Sequence, residues 1–368
     1  MNTEKIKPIV ALQQAIIPDY RMGLFRLLRR DWGDTFEIYA GDFDFGKTPI
    51  STDEAWQHFK RVKNYYFFGN RFLWQQGCFR KLLSADIVIL NANMRIVSNT
   101  ALLVLRKILG RRTILWGHSK GQNGVAEIIR GVYFSIADGF IAYTKKEGMT
   151  LRYRCPRLMV WVAANSCLSA ANCVPVEGAV DELDSILYVG RLVEKKKVRL
   201  LLEGFILATK RSMLAEHIRL VFVGAGSERQ FLEGRAEEAG VSERVHFAGH
   251  VSNITGLREY YRKAICSVSP GYVGLSATQS FSFGVPMLIA RDEFHSPEIE
   301  ACKEGFNTEF FESNDPQSLA DHLHRITAQT EMFHLKRKEL STWTASHYSF
   351  EVMQKAFKNA VKNVGGLD

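Results

Sequence analysis

Several features that would identify the chemistry quickly are missing from this chain. Its six cysteines, at 78, 155, 167, 173, 266 and 302, form no C-x-x-C pair and no metal-ligand spacing with histidine. That argues against a zinc module and for buried thiols in a reducing compartment. No apolar run reaches the length that crosses a bilayer, and the opening MNTEKIKPIV has no signal-peptide layout, so the expected location is the cytoplasm. Neither half contains G-x-G-x-x-G, which leaves a dinucleotide site in the strict sense unsupported, and no nucleic-acid-binding motif is present.

At 368 residues the chain exceeds a typical single core and implies two domains, and a 46% hydrophobic, 24% charged composition excludes wholesale disorder. The net charge of +9 is unevenly placed: residues 1–170 carry 25 basic against 13 acidic side chains, the remainder 23 against 26. A basic first half suits an anionic partner, and without a nucleic-acid motif a membrane surface or a lipid phosphate is expected. The stretch 60–81, KRVKNYYFFGNRFLWQQGCFRK, mixes basic residues with Tyr65, Tyr66, Phe67, Phe68, Phe72 and Trp74. Such a mixture fits a membrane interface, and equally a core-packing segment with solvated charges, because no helical period decides between them.

One short stretch, GDFDFGKT (41–48), satisfies the phosphate-loop pattern G-x-x-x-x-G-K-[ST] and contains a D-x-D. The context opposes both readings. A phosphate loop must run directly into a helix, but Thr48 precedes Pro49, which pushes it out of helical geometry, and Asp42 and Asp44 would face a triphosphate. As a metal site the pair has no third ligand in view. A polar loop after a strand is the better reading, and no metal is expected.

The second half alternates clearly between short apolar strands and amphipathic helices: ILYVGR (186–191), VRLLLEGFILATKRS (198–212), RLVFVGAG (219–226), ERQFLEGRAEEAG (228–240), RVHFAGH (244–250), ITGLREYYRKA (254–264), ICSVSP (265–270) and PMLIA (286–290). This pattern specifies a parallel sheet covered on both faces. The first half repeats it less regularly, with strands expected at PIVALQ, TFEIYA, ADIVILN, RTILWGH and GFIAYT. The boundary falls within 166–184, rich in small and polar residues, and residues after about 345 read as a terminal helix. The resulting division is 1–172, 173–345 and a C-terminal helix, 346–368, packing back on the first domain.

In such sheets a ligand binds beyond the carboxyl ends of strands. The second domain offers GRLVEKKK, GAGS, GHVSN and PGYVGLSATQ there. The first supplies an arginine and lysines, and the glycine-rich turns supply amides at helix starts, a set that suits a diphosphate. These blocks, in this order, resemble the retaining glycosyltransferases of family 4, which have the GT-B fold. ILYVGRLVEKKKVRLLLEGF (186–205) resembles the G-R-L-x-x-x-K-G segment, and the blocks through HSPEIEACKEGFNTEFF (295–311) follow, covering roughly 185–345. In the first domain IIPDYRMGLFRLL and VAANS resemble the family's opening and end of domain more weakly.

The resemblance implies an α/β, GT-B architecture of two Rossmann-like parallel-sheet domains facing across a cleft. It also implies transfer of a sugar from a nucleotide-diphosphate donor, a UDP- or GDP-sugar, with no metal and no cofactor. Carried over position by position, Arg191 and Lys196 match the pair that neutralises the donor diphosphate, and Lys195 and Lys197 read as surface charges. Gly224 and Gly226 match the second glycine-rich turn, His250 and Val251 lie in the segment near the base, and Gly274, Leu275 and Ser276 match the turn facing phosphates and sugar. His118, which ends a strand in LWGHSKG, matches the family's histidine near the donor sugar. Asp19, Tyr20 and Arg21 follow the first strand and would face the acceptor, with Arg21 serving a lipid diphosphate or flanking a helix at the surface. Asn165 would sit near the hinge.

One departure stands out. The family's E-x7-E falls on Gly271 and Gln279. Gln279 can still bond a ribose hydroxyl, but Gly271 has no side chain for a sugar, which leaves backbone amides and another group, with Glu298 a candidate substitute. The expected function is a retaining transferase acting on a lipid-linked glycan acceptor, as in cell-envelope polysaccharide or lipopolysaccharide synthesis. It would be peripheral on the inner face of the cytoplasmic membrane and drawn to anionic lipid. Alternatives are a non-catalytic sugar-nucleotide-binding protein, an inverting GT-B enzyme with Asp19 as base, and an NTPase built on Lys47.

Overall fold

The computed structural model describes residues 8–45, 59–119 and 124–366. By contact the chain forms two compact units, Met1–Cys167 with Phe350–Asp368, and Leu168–Ser349.

In the first unit seven strands form a parallel sheet: β1 (Val10–Gln14), β2 (Phe36–Ala40), β3 (Lys60–Arg61), β6 (Ile87–Asn91), β7 (Arg112–Gly117), β8 (Gly139–Ala142) and β9 (Met159–Val162), in the order β3-β2-β1-β6-β7-β8-β9. β1 pairs on both sides, Val10 opposite Phe36 and opposite Ile87. Both faces are covered, which is why these strands are continuous apolar runs. The helices Met22–Trp32 and Phe350–Gly365 bury Phe25, Leu28, Met353 and Phe357 against one face. The helices Val97–Ile108, Gly124–Ile136 and Lys145–Arg154 bury Leu102, Leu103, Phe134 and Leu151 against the other. Arg106 is 0% exposed. Its guanidinium donates to the carbonyls of Leu82, Leu83, Ala85, Asp86 and Arg112, and burial lowers its pKa to about 10.

Most of the aromatic stretch 60–81 is neither core nor helix. β4 (Lys63–Phe67) and β5 (Phe72–Gln76) pair antiparallel as a hairpin separate from the main sheet. Along β5 alternate residues face out, Phe72, Trp74 and Gln76, with Leu73 and Gln75 buried. That two-residue period explains why a helical one was not found. The turn places Phe68, Gly69 and Asn70 at positive φ, and the rings of Phe67, Phe68 and Phe72 contact one another at its tip.

After β2, Asp42 pairs with Arg61 at 2.6 Å. Gly46, Lys47, Thr48 and Pro49 lie outside the described residues, so the second half of the phosphate-loop pattern does too. Among the described residues no group of three or more metal-ligating side chains converges, and no helix is long and apolar enough to cross a membrane.

The second unit has a parallel sheet of β10 (Ser185–Val189), β11 (Arg219–Val223), β12 (Val245–Gly249), β13 (Ala264–Ser269), β14 (Met287–Ala290) and β15 (Thr308–Phe311), in the order β12-β11-β10-β13-β14-β15. Each expected strand is present. β9 and β15 were not separately expected: each is only four residues long, and Glu309 interrupts the apolar run of β15. Arg337 is buried and donates to the carbonyls of Val176, Arg262 and Ala264, fastening the start of this unit to its sheet.

Candidate active site

Strand order in the second unit reverses between β10 and β13. Loops leaving the carboxyl ends diverge at such a point and open a crevice for a ligand. Among the loops that leave that edge are 190–197 after β10, 224–228 after β11, 250–253 after β12, 270–275 after β13 and 291–298 after β14.

The first two loops approach so closely that only glycine fits. A β-carbon on Gly224 would lie 1.8 Å from the Gly190 carbonyl oxygen, and one on Gly226 would lie 2.1 Å from that of Leu192. The Leu192 amide donates to Ala225 at 2.9 Å, and the Glu228 amide donates back to Leu192 at 3.0 Å. The turn carrying Arg191 is thereby fixed to the turn that opens the helix Arg229–Glu238.

Arg191 is exposed and Lys196 half-buried. The Lys196 ammonium donates to the Tyr272 carbonyl at 3.0 Å and lies 3.5 Å from the centroid of the same residue's ring. Lys195 stands 5.3 Å from that ring. Lys197 turns away in a left-handed conformation, φ 52°, and pairs with Glu293. Burial, opposed by Tyr272, holds Lys196 below the ordinary lysine range; Arg191 pushes the same way and Glu298 against it. Burial raises the Tyr272 phenol, but the Lys196 charge and then Arg191, through a hydrogen bond and its charge, bring it below its ordinary range.

At Gly271 a β-carbon would meet the Lys196 carbonyl carbon at 2.9 Å and the Lys195 carbonyl oxygen at 3.1 Å. The glutamate position is therefore closed to any side chain, and the neighbouring Tyr272 reaches the basic cluster instead. The loop is also held from its other end. The Val273 amide donates to His295 Nδ1 at 3.1 Å, and its carbonyl accepts from the Ser296 amide at 3.0 Å. Burial lowers the His295 pKa and favours the neutral ring that can accept this bond. Glu298, in the turn Pro297–Ala301, is 4% exposed, so it bears on Lys196 from inside the unit by charge.

Gly274 and Leu275 lead into the helix Ser276–Ser282, whose first amides have no partner within the helix by geometry. Gln279 accepts from the Tyr261 hydroxyl at 3.5 Å. His250 is exposed just beyond β12, and Val251 is half-buried before Asn253 caps the helix Ile254–Lys263.

In the first unit His118 follows β7 with 56% of its side chain exposed. Its Nδ1 is 3.4 Å from Glu147 Oε1, which also accepts from the Ser119 amide at 3.3 Å, and its ring centroid is 4.8 Å from that of Tyr143. Glu147 is buried at the start of the helix Lys145–Arg154, where Thr144 caps its amide. Asp19 and Tyr20 are exposed, but Arg21 corrects the expectation of a surface position. It is 8% exposed, lies 4.4 Å from the Trp116 ring and donates to the Tyr143 hydroxyl, so its cation stacks in the core. Asn165 lies near the end of this unit.

The second unit thus gathers Arg191, Lys196, Gly224, Gly226, Gly274, Leu275 and Ser276 on loops and a helix start at the carboxyl edge of one sheet. Tyr272, His295 and Glu147 were not singled out from sequence. In sequence Tyr272 and His295 are marked only by place, the one after the glycine at 271 and the other at the start of HSPEIE, and that place does not reveal which loops they join.

Residues 174–340 match the family described as Glycosyl transferases group 1. Over 152 residues, 40% of this chain and 37% of the relative, the chain is 28% identical to MJ1607, an uncharacterized glycosyltransferase of Methanocaldococcus jannaschii. Anabaena Alr3699/HepE in complex with UDP superposes with a TM-score of 0.71 at 12% identity, covering 97% of this chain and 100% of that one. Sucrose-phosphate synthase from Thermosynechococcus elongatus gives 0.65 at 16%, covering 97% and 99%. The lipopolysaccharide outer core galactosyltransferase WaaB, in its apo form, gives 0.62 at 16%, covering 96% and 99%. The structures show the GT-B fold, and the domain match and the relative support a transferase.

Proposed function

We propose that the protein transfers a sugar from a nucleotide-diphosphate sugar, a UDP- or GDP-sugar, to a lipid-linked glycan acceptor, with retention of configuration and without a metal. The observation that carries this reading is the convergence of Arg191 and Lys196 at the strand-order reversal, beside turns whose backbone amides are at helix starts. A nucleoside diphosphate leaves with growing negative charge, and fixed cations in a partly desolvated site stabilise that charge in the transition state. Lys196, half-buried, supplies the desolvated cation, and exposed Arg191 can pair bidentately with a phosphate.

Retention follows when the leaving phosphate itself draws the acceptor hydroxyl onto the face it departs from, so no covalent partner is needed. His118, with Glu147 Oε1 3.4 Å from its Nδ1, is the first unit's candidate residue for the reaction. The UDP bound to Alr3699/HepE and the outer-core reaction named for WaaB favour a UDP-sugar and an envelope glycan.

The membrane part of the reading is supported by the first unit's surface. Phe68 is exposed at the hairpin tip beside Arg71, and Ile108, Leu109, Ile128, Ile129 and Val132 are exposed on or beside two neighbouring helices of a unit rich in basic residues. Aromatic and apolar side chains amid cations suit an anionic lipid surface.

Incubation of the purified protein with UDP- and GDP-sugars and a lipid-linked glycan tests the proposal. Release of nucleoside diphosphate with an axial or equatorial bond matching the donor's supports it, and an inverted anomer points to an inverting enzyme. Binding of the donor with no turnover on any acceptor would favour the binding-only alternative, for which the closed position at Gly271 is the specific observation.

A further inference from the structure

We propose that Tyr272 is a positioning residue for the donor diphosphate: its ring and carbonyl hold the Lys196 ammonium on the loop that also carries Arg191, so that both cations stand ready for one diphosphate. This rests on the donor-site reading above.

Long basic side chains lose rotamer freedom when they bind, and a site that fixes them beforehand binds more tightly. Here the fixing group is identifiable. The Lys196 ammonium is held twice by one residue, at 3.0 Å by the Tyr272 carbonyl and at 3.5 Å over its ring. Arg191 lies near enough to the same phenol for its charge to help bring that phenol below its ordinary range. A tyrosine is suited to this place, since its face attracts a cation and its hydroxyl accepts a hydrogen bond.

Tyr272 is itself well anchored. On one side Gly271 packs against the backbone of residues 195 and 196, with no room for a β-carbon. On the other, Val273 exchanges hydrogen bonds with His295 and Ser296. A residue between two fixed neighbours can impose a geometry on flexible partners. The same packing that excludes a glutamate at 271 brings the tyrosine against the lysine.

The test compares nucleoside diphosphate with nucleoside monophosphate, using UDP and UMP, and GDP and GMP, by isothermal titration calorimetry. It is run on the full chain and on Tyr272→Phe, Tyr272→Ala and Arg191→Ala. A positioning role for the diphosphate alone lowers UDP or GDP affinity about tenfold in Tyr272→Ala and leaves monophosphate affinity within about twofold. Tyr272→Phe keeps the ring and carbonyl for Lys196 and loses only the phenol, so a smaller but measurable loss of diphosphate preference is expected. It also keeps the proposal testable if the alanine variant does not fold.

Undiminished diphosphate preference in Tyr272→Phe and Tyr272→Ala, with the preference lost in Arg191→Ala, overturns this inference and leaves the donor site standing. Equal loss of mono- and diphosphate binding in folded Tyr272 variants also overturns it, because that is the result of a general structural role. An unchanged preference in Arg191→Ala, or no binding of any of these nucleotides to the wild-type chain, removes the donor-site reading and this inference together.

Discussion

A β-carbon on Gly271 would lie 2.9 Å from the carbonyl carbon of Lys196. Backbone therefore fills the space in which the first glutamate of an E-x7-E pattern would begin. The change at this position belongs to the way the 190–197 and 270–275 loops pack, and a point substitution does not reverse it.

Gly271→Glu should accordingly weaken the site and not restore it. Forcing atoms into filled space costs about 1–3 kcal/mol, and the displaced 195–196 backbone would carry Lys196 with it. Thermal denaturation should show a lower midpoint, and calorimetry should show weaker nucleoside diphosphate binding. A Gly271→Glu protein as stable as wild type and faster in turnover would contradict the packing argument.

Nucleoside diphosphate affinity should fall with rising pH earlier than an ordinary lysine would cause. Binding needs the charged ammonium, and burial holds Lys196 below its ordinary value of 10.5. Affinity is thus retained near neutrality and lost as pH rises through the lowered value. Tyr272→Phe removes the phenol, which also titrates below its ordinary range, and isolates the lysine. Affinity measured by calorimetry that stays constant up to pH 10.5 would show that Lys196 does not hold the phosphate.

Much of the fold was legible because parallel strands buried on both faces are short apolar runs, as in ILIV-rich β6 and β10, and the helices between them repeat at 3.6 residues. The hairpin was not, because an alternating aromatic strand with exposed Phe72 and Trp74 has the composition of a core segment and the period of an edge. Arg191 and Lys196 were legible as cations beyond a strand. Tyr272 was not, since its role depends on which loop lies beside which at the reversal of strand order, and spacing along one loop does not encode that. Arg21 misled for a related reason: its charge indicated a surface, while Trp116 and Tyr143, distant in sequence, form its pocket.

Arg337→Ala should destabilise the second unit strongly. Removing the guanidinium leaves the carbonyls of Val176, Arg262 and Ala264 without this donor, at about 1–3 kcal/mol for each buried group left unsatisfied. The loss is read from the midpoint of urea denaturation, and a shift smaller than about 1 kcal/mol would mean that water replaces the arginine.

Phe68→Asn should separate membrane binding from folding. Phe68 has φ 50° and is 76% exposed, and asparagine tolerates that backbone better. Stability should hold or rise while co-sedimentation with vesicles containing anionic lipid falls, because burying a phenylalanine is worth about 1.5–3 kcal/mol. Equal vesicle binding by the two proteins would remove the hairpin tip from the membrane surface.

The most direct measurement is the binding of UDP and GDP to the wild-type chain and to Arg191→Ala by isothermal titration calorimetry. A charge-assisted contact contributes about 1.5–3 kcal/mol, so one of the two nucleotides should bind the wild-type chain and lose about tenfold or more in affinity in the variant. Binding of that nucleotide with unchanged affinity to a folded Arg191→Ala protein would contradict a diphosphate site at Arg191 and Lys196.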